Sequence, residues 1–163
     1  MRIRLSWSLV LPILLAAAAL AQDADNSLLT TCTLADQKEI SARYVPGPSK
    51  ARLPDGRVWA PGNSPIVLFT QAEMTIAGVS LPIGAYNAYI LPTAKSWTFV
   101  LSKDVSGKTY DPSKDLVRVP MKSGSLGQAA DPYSFVFTHD SAKQCSLQVF
   151  YGKNGYWVEF QEK

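Results

Sequence analysis

Residues 79–103, VSLPIGAYNAYILPTAKSWTFVLSK, decide the fold class. Two apolar runs, 85–91 and 96–102, flank the turn-forming Pro92-Thr93-Ala94-Lys95. Alternation gives each run two faces. Trp97, Phe99 and Leu101 share one face of the return run, and Thr98 and Val100 the other. Tyr86, Ala88 and Ile90 oppose Asn87, Tyr89 and Leu91 on the outgoing run. Both runs are apolar on both faces, the pattern of a hairpin covered on two sides inside a sheet or sandwich.

Working outward, short strands recur with turn signals roughly every ten residues. Strands are expected over 38–45, 66–70, 73–76, 115–121, 133–139, 144–151 and 156–161. Pro46-Gly47-Pro48 and Pro54-Asp55-Gly56 are breakers. Residues 23–34 read as an arm, ordered if Cys32 is bridged, and 34–42 carries a weak helical period. Residues 122–132, rich in Gly, Ser and Ala, read as a mobile loop. Gly152-Lys153-Asn154-Gly155 reads as a hairpin turn, because Asn and Gly tolerate positive φ. Pro120 marks 115–121 as an edge strand or a strand end. The expectation is an all-β chain of about nine short strands, an antiparallel β-sandwich or partly closed barrel.

Ahead of this domain stands a secretory leader, residues 1–21. Arg2 and Arg4 precede an apolar run over 5–20, shorter than the roughly 20 residues a membrane span needs, and Ala19-Leu20-Ala21 offers a cleavage site. Cutting between Ala21 and Gln22 places residues 22–163, a single domain by length, in the periplasm or outside the cell. The formal charge falls from +3 to +1 when Arg2 and Arg4 leave. No Lys/Arg cluster marks a nucleic-acid or anionic-lipid surface, and no Cys stands at the cut to carry a lipid. Cys32 and Cys145 are expected to pair as one disulfide in an oxidising compartment.

Catalytic signals are sparse. His139 is the lone histidine, which excludes sites built on several His. Asp140, its neighbour along a strand, points to the opposite face and cannot readily orient its ring. Ser123-Gly124-Ser125-Leu126-Gly127 only approaches a nucleophile elbow. The carboxylates Glu73, Asp104, Asp111, Asp115, Asp131, Glu159 and Glu162 are scattered, mostly at turns. No metal, cofactor or nucleotide motif emerges. Aromatic residues are the stronger signal, since rings on a sheet face or loop stack sugars and peptides while most pack in cores. Trp97 and Trp157 read as core. Trp59, followed at once by Pro61-Gly62-Asn63, reads as a surface platform, with Gly62, Asn63 and Ser64 completing a contact. The leading expectation is a non-enzymatic module binding a small ligand, glycan, peptide or envelope partner. The alternatives are a structural envelope protein pairing through the edge strand at 115–121, and a hydrolase using His139 or scattered carboxylates.

Val58-Trp59 with Gly62, Gly78, Leu81-Pro82-Ile83-Gly84-Ala85-Tyr86, Ile90 to Pro92, Trp97-Thr98-Phe99-Val100-Leu101 and Leu116-Val117-Arg118-Val119-Pro120 form a series. In that series the chain resembles the family catalogued as domain of unknown function 2911. The family-like core runs over about residues 40–122, and the resemblance implies a secreted, β-rich domain without an assigned activity. Where the family usually carries Arg after the tryptophan and Gly-Ala-Asn-Glu beyond it, this chain has Ala60 and Asn63-Ser64-Pro65. The charges of that motif are gone, which favours a binding or structural role over catalysis.

Overall fold

A computed structural model describes residues 26–50, 52–106 and 109–163. The expected leader and the expected cleavage between Ala21 and Gln22 lie outside the described residues. Ten strands form two antiparallel sheets: β1 (Leu28–Thr33), β2 (Glu39–Tyr44), β3 (Ile66–Thr70), β4 (Met74–Ile76), β5 (Val79–Leu81), β6 (Gly84–Pro92), β7 (Trp97–Ser102), β8 (Asp115–Pro120), β9 (Lys122–Ser141) and β10 (Gln144–Glu162). One sheet has six strands in the order β1-β2-β3-β6-β7-β8, the other four in the order β5-β4-β10-β9. The sheets remain separate and the fold is a sandwich, not a closed barrel.

The β6–β7 hairpin pairs Pro92 with Trp97 and Asn87 with Ser102. Its inner face, Tyr86, Ala88, Ile90, Trp97, Phe99 and Leu101, lies in the core shared with Phe135, Leu147, Val149 and Phe160 of the opposite sheet. Its outer face is covered too, as the double apolar pattern requires. The segment after β7 folds back over it, bringing Tyr110 to 5.0 Å from Tyr89, and Lys103 N–H donates to Lys114 O. Tyr110 in turn donates to Asp115 Oδ2 (2.7 Å), which also accepts from Arg118 Nε (2.8 Å).

The arm before Cys32 is strand β1, and Cys32 is bonded to Cys145 of β10. The bridge joins an edge strand of one sheet to the middle of the other. Beside it, Thr30 Oγ1 accepts from Phe137 N–H of β9 at 2.7 Å. The helical period at 34–42 is not realised: a tight turn with Gln37 at φ 70° leads into β2. Sheet pairing outweighs a period too short to nucleate a helix.

Two sequence expectations fail together at the C-terminal hairpin. Residues 122–132 belong to β9, a 20-residue strand, and Gly152–Gly155 lies inside β10 rather than at a turn. The hairpin reverses at residues 142–143, and Gly124↔Gly155 and Ser123↔Tyr156 are paired neighbours. Gly152, at φ 56°, is where the pairing slips. Between Gly152↔Ala130 and Asn154↔Ser125 only Lys153 stands on β10, against four residues on β9. This bulge inverts the alternation: Tyr151 and Tyr156 both turn toward the core, whose partly buried rim they form, as expected of an irregularity that re-aims side chains.

Candidate functional site

The backbone around Trp59 is fixed by a two-hydrogen-bond bridge to β6: Trp59 N–H donates to Ile90 O (2.6 Å), and Ile90 N–H to Trp59 O (3.1 Å). The ring is surrounded rather than presented. Its centroid lies 5.3 Å from Tyr133, 5.8 Å from Tyr151 and 6.1 Å from Trp97, all edge-on. Trp97 stacks in parallel on Tyr156 at 3.9 Å. Edge-to-face and stacked pairs at these separations are cohesive. Trp59 thus anchors an aromatic cluster closing one part of the core. Burial pushes the Tyr133 phenol up to about 12, and its hydroxyl donates to Val45 O at 2.8 Å.

The residues after Trp59 face a different surface. Pro61–Asn63 makes one 3-10 turn in which Gly62 (φ 65°) and Asn63 (φ 61°) are both left-handed. At Gly62 a side chain is excluded twice over, because the conformation favours glycine and a Cβ would lie 2.6 Å from Val45 Cβ. The turn holds Asn63 and Ser64 at the rim of a cleft of about 340 Å³, lined also by Pro65, Val67, Asn87, Val105 and Ser106. Asn87 is 2% exposed, a buried carboxamide on the outer face of β6. Of the sequence-predicted contact residues, Asn63 and Ser64 line this cleft, Gly62 supports it from behind, and Trp59 belongs to the core cluster.

A second concavity lies on the outer face of the four-stranded sheet. Gly124, Ser125 and Leu126 of β9, with Gln148, Phe150, Gly155, Tyr156 and Trp157 of β10, line a groove of about 310 Å³. Trp157, read from sequence as core, faces outward beside it, whereas Val158 and Phe160 fill the interior. The alternation 156-158-160 shows this once the Gly152 bulge is known; a turn assigned at Gly152–Gly155 hides it.

The ionisable residues are engaged structurally. Asp140 accepts from Thr138 Oγ1 (3.1 Å) and from Ser146 Oγ, and does not orient the exposed His139. Asp111 accepts from Ser113 N–H and Asp104 from Ser106 N–H; the Ser113 contacts hold the Asp111 carboxyl below its usual range. Glu73 pairs with Lys163 (3.7 Å), Glu162 with Lys38 (3.9 Å), Asp131 with Lys50 (3.8 Å) and Glu159 with Lys122. Among the described residues no three His, Cys, Asp or Glu converge as metal ligands, and no helix is long and apolar enough to cross a membrane.

Searches of curated proteins and of solved structures return no match. A family model does match, over residues 39–160, from β2 almost to the end of β10. It reaches further than the motif series in the first two-thirds, because the bulged C-terminal hairpin carries no compact motif. That match spans well over half of the sequence, and the chain belongs to the family described as protein of unknown function, DUF2911.

Proposed function

We propose that this protein is a secreted, non-enzymatic binding domain, and that the cleft beside the Gly62–Ser64 turn takes a short stretch of extended peptide. The observation carrying this reading is the pairing of chemistries in the cleft: the carboxamide of Asn63 and the hydroxyls of Ser64 and Ser106 beside Val67 and Val105. A carboxamide both donates and accepts, so it matches a peptide group. The valines supply apolar contact for alternate side chains, as extended peptides require. The cleft has no aromatic lining on which a sugar would stack. Catalysis is less well supported, since His139 and the carboxylates are exposed or held in caps and ion pairs. Edge pairing through β8 is also disfavoured, because Pro120 and the charged Arg118 lie on that strand, features that discourage strand addition. Secretion is supported by the leader-like residues 1–21 and by a disulfide of the kind that persists in oxidising compartments.

The test is selection from a displayed random-peptide library, followed by fluorescence anisotropy with the recovered peptides. Asn63→Gly removes the carboxamide while keeping a left-handed backbone available, and Ser64→Ala removes the rim hydroxyl. Each is expected to weaken binding about tenfold, or about 1.4 kcal/mol, without lowering the melting temperature. Peptides that bind both variants as tightly as the parent chain would place the site elsewhere.

A further inference from the structure

The groove on the other sheet has a different chemistry. Its lining contains two aromatic rings, Phe150 and Trp157, together with Leu126, a carboxamide at Gln148, a hydroxyl at Ser125 and two glycines; Tyr156 borders it while its ring stacks inward on Trp97. None of these residues is charged. On the neighbouring stretch of the hairpin Lys122 and Glu159 pair with each other, and Lys153 stands exposed at the bulge.

The glycines explain why the rings stand as they do. Gly124 lies under the six-membered ring of Trp157: a Cβ there would sit 3.6 Å from its Cζ3. Gly155 is buried beneath Leu126 and Phe150, each 3.5 Å from the position of its absent Cβ. With flat strand beneath them, Trp157 and Phe150 settle onto the sheet rather than standing off it. Beside the groove the register slips, with four residues of β9 standing against Lys153 of β10.

We propose that this groove is a second binding site, for a neutral oligosaccharide, with a pyranose ring against Trp157 and hydroxyls meeting Gln148 and Ser125. A pyranose has an apolar face of C–H groups and an equatorial belt of hydroxyls, so it requires a ring to stack on and neutral donors and acceptors at its edge. An acidic sugar would desolvate its carboxylate against a lining that carries no charge. The site does not depend on the cleft at Asn63, which lies on the outer face of the other sheet.

Isothermal titration of the purified chain with maltohexaose, cellohexaose, xylohexaose and chitohexaose tests the proposal, with hexagalacturonic acid as the charged counter-probe. Saturable binding of at least one neutral hexamer is expected, with the acidic hexamer weaker. Trp157→Ala should raise Kd about tenfold or more, Trp157→Phe and Gln148→Ala less, and Asn63→Gly not at all. If Trp157→Ala does not fold, Trp157→Phe and Gln148→Ala carry the comparison. The proposal is overturned if no neutral hexamer binds, if hexagalacturonic acid binds as tightly, or if the folded groove variants bind as the parent does.

Discussion

Two tryptophans exchange roles between sequence and structure. Trp59 precedes a rigid loop, the usual place for a presented ring, yet its backbone bridge to Ile90 draws it among Trp97, Tyr133 and Tyr151. Trp157 lies in an apolar strand, the usual place for a core ring, yet it faces outward. Their substitutions should separate accordingly. Trp59→Ala is expected to cost about 3–5 kcal/mol through cavity formation and lost ring contacts, whereas Trp157→Ala should cost less than about 2 kcal/mol. Urea unfolding of both variants measures this. A Trp59→Ala protein as stable as the parent would remove the ring from the core. That a rigid loop follows Trp59 was legible from Pro61-Gly62-Asn63. Asn87 was not, since burial of a polar residue on a strand depends on what folds over it.

At the level of elements, period-2 alternation was enough to place β2, β3 and the β6–β7 hairpin, because each is an uninterrupted run. The β9–β10 hairpin defeats it. Small residues at 122–130 have low strand preference, and Gly152 to Gly155 has the composition of a turn; long-range pairing overrides both. The disulfide was legible from two cysteines and the expectation of an oxidising compartment, and it ties β1 to this hairpin. Replacing both cysteines with serine is expected to lower stability by about 2–5 kcal/mol. Thermal unfolding of the double variant, and of the parent with and without reductant, checks this. An unchanged melting temperature would mean that the sandwich holds β1 without the bond.

For the molecule as a whole, the buried phenols set an alkaline limit. Burial pushes Tyr133 up to about 12; burial, and then the contact with Asp115, do the same for Tyr110. An unfolded tyrosine titrates near about 10. A pKa raised in the folded state means that the native fold retains the proton. The stability these groups contribute is therefore complete below about pH 10 and disappears as the pH climbs from about 10 to about 12. Unfolding midpoints measured in steps across that window should fall, and Tyr133→Phe should flatten the decline. A midpoint that is flat across the window in the parent would contradict the burial.

The sheet order also imposes a timetable. Strands β2, β3, β6, β7 and β8 neighbour one another in nearly the order in which they are made, so the larger sheet assembles from segments close in sequence. The smaller one does not. β4 finds its second partner only in β10, through Thr75↔Gln161 and Met74↔Glu162, a separation of 86 residues for the first pair. During synthesis β4 and β5 must wait as a short, half-apolar hairpin with one edge open until β10 has emerged. Distant pairings of this kind are slow to form and leave strand edges exposed meanwhile. A holding factor that shields β4 over that interval would raise the yield of folded protein without touching either proposed binding surface.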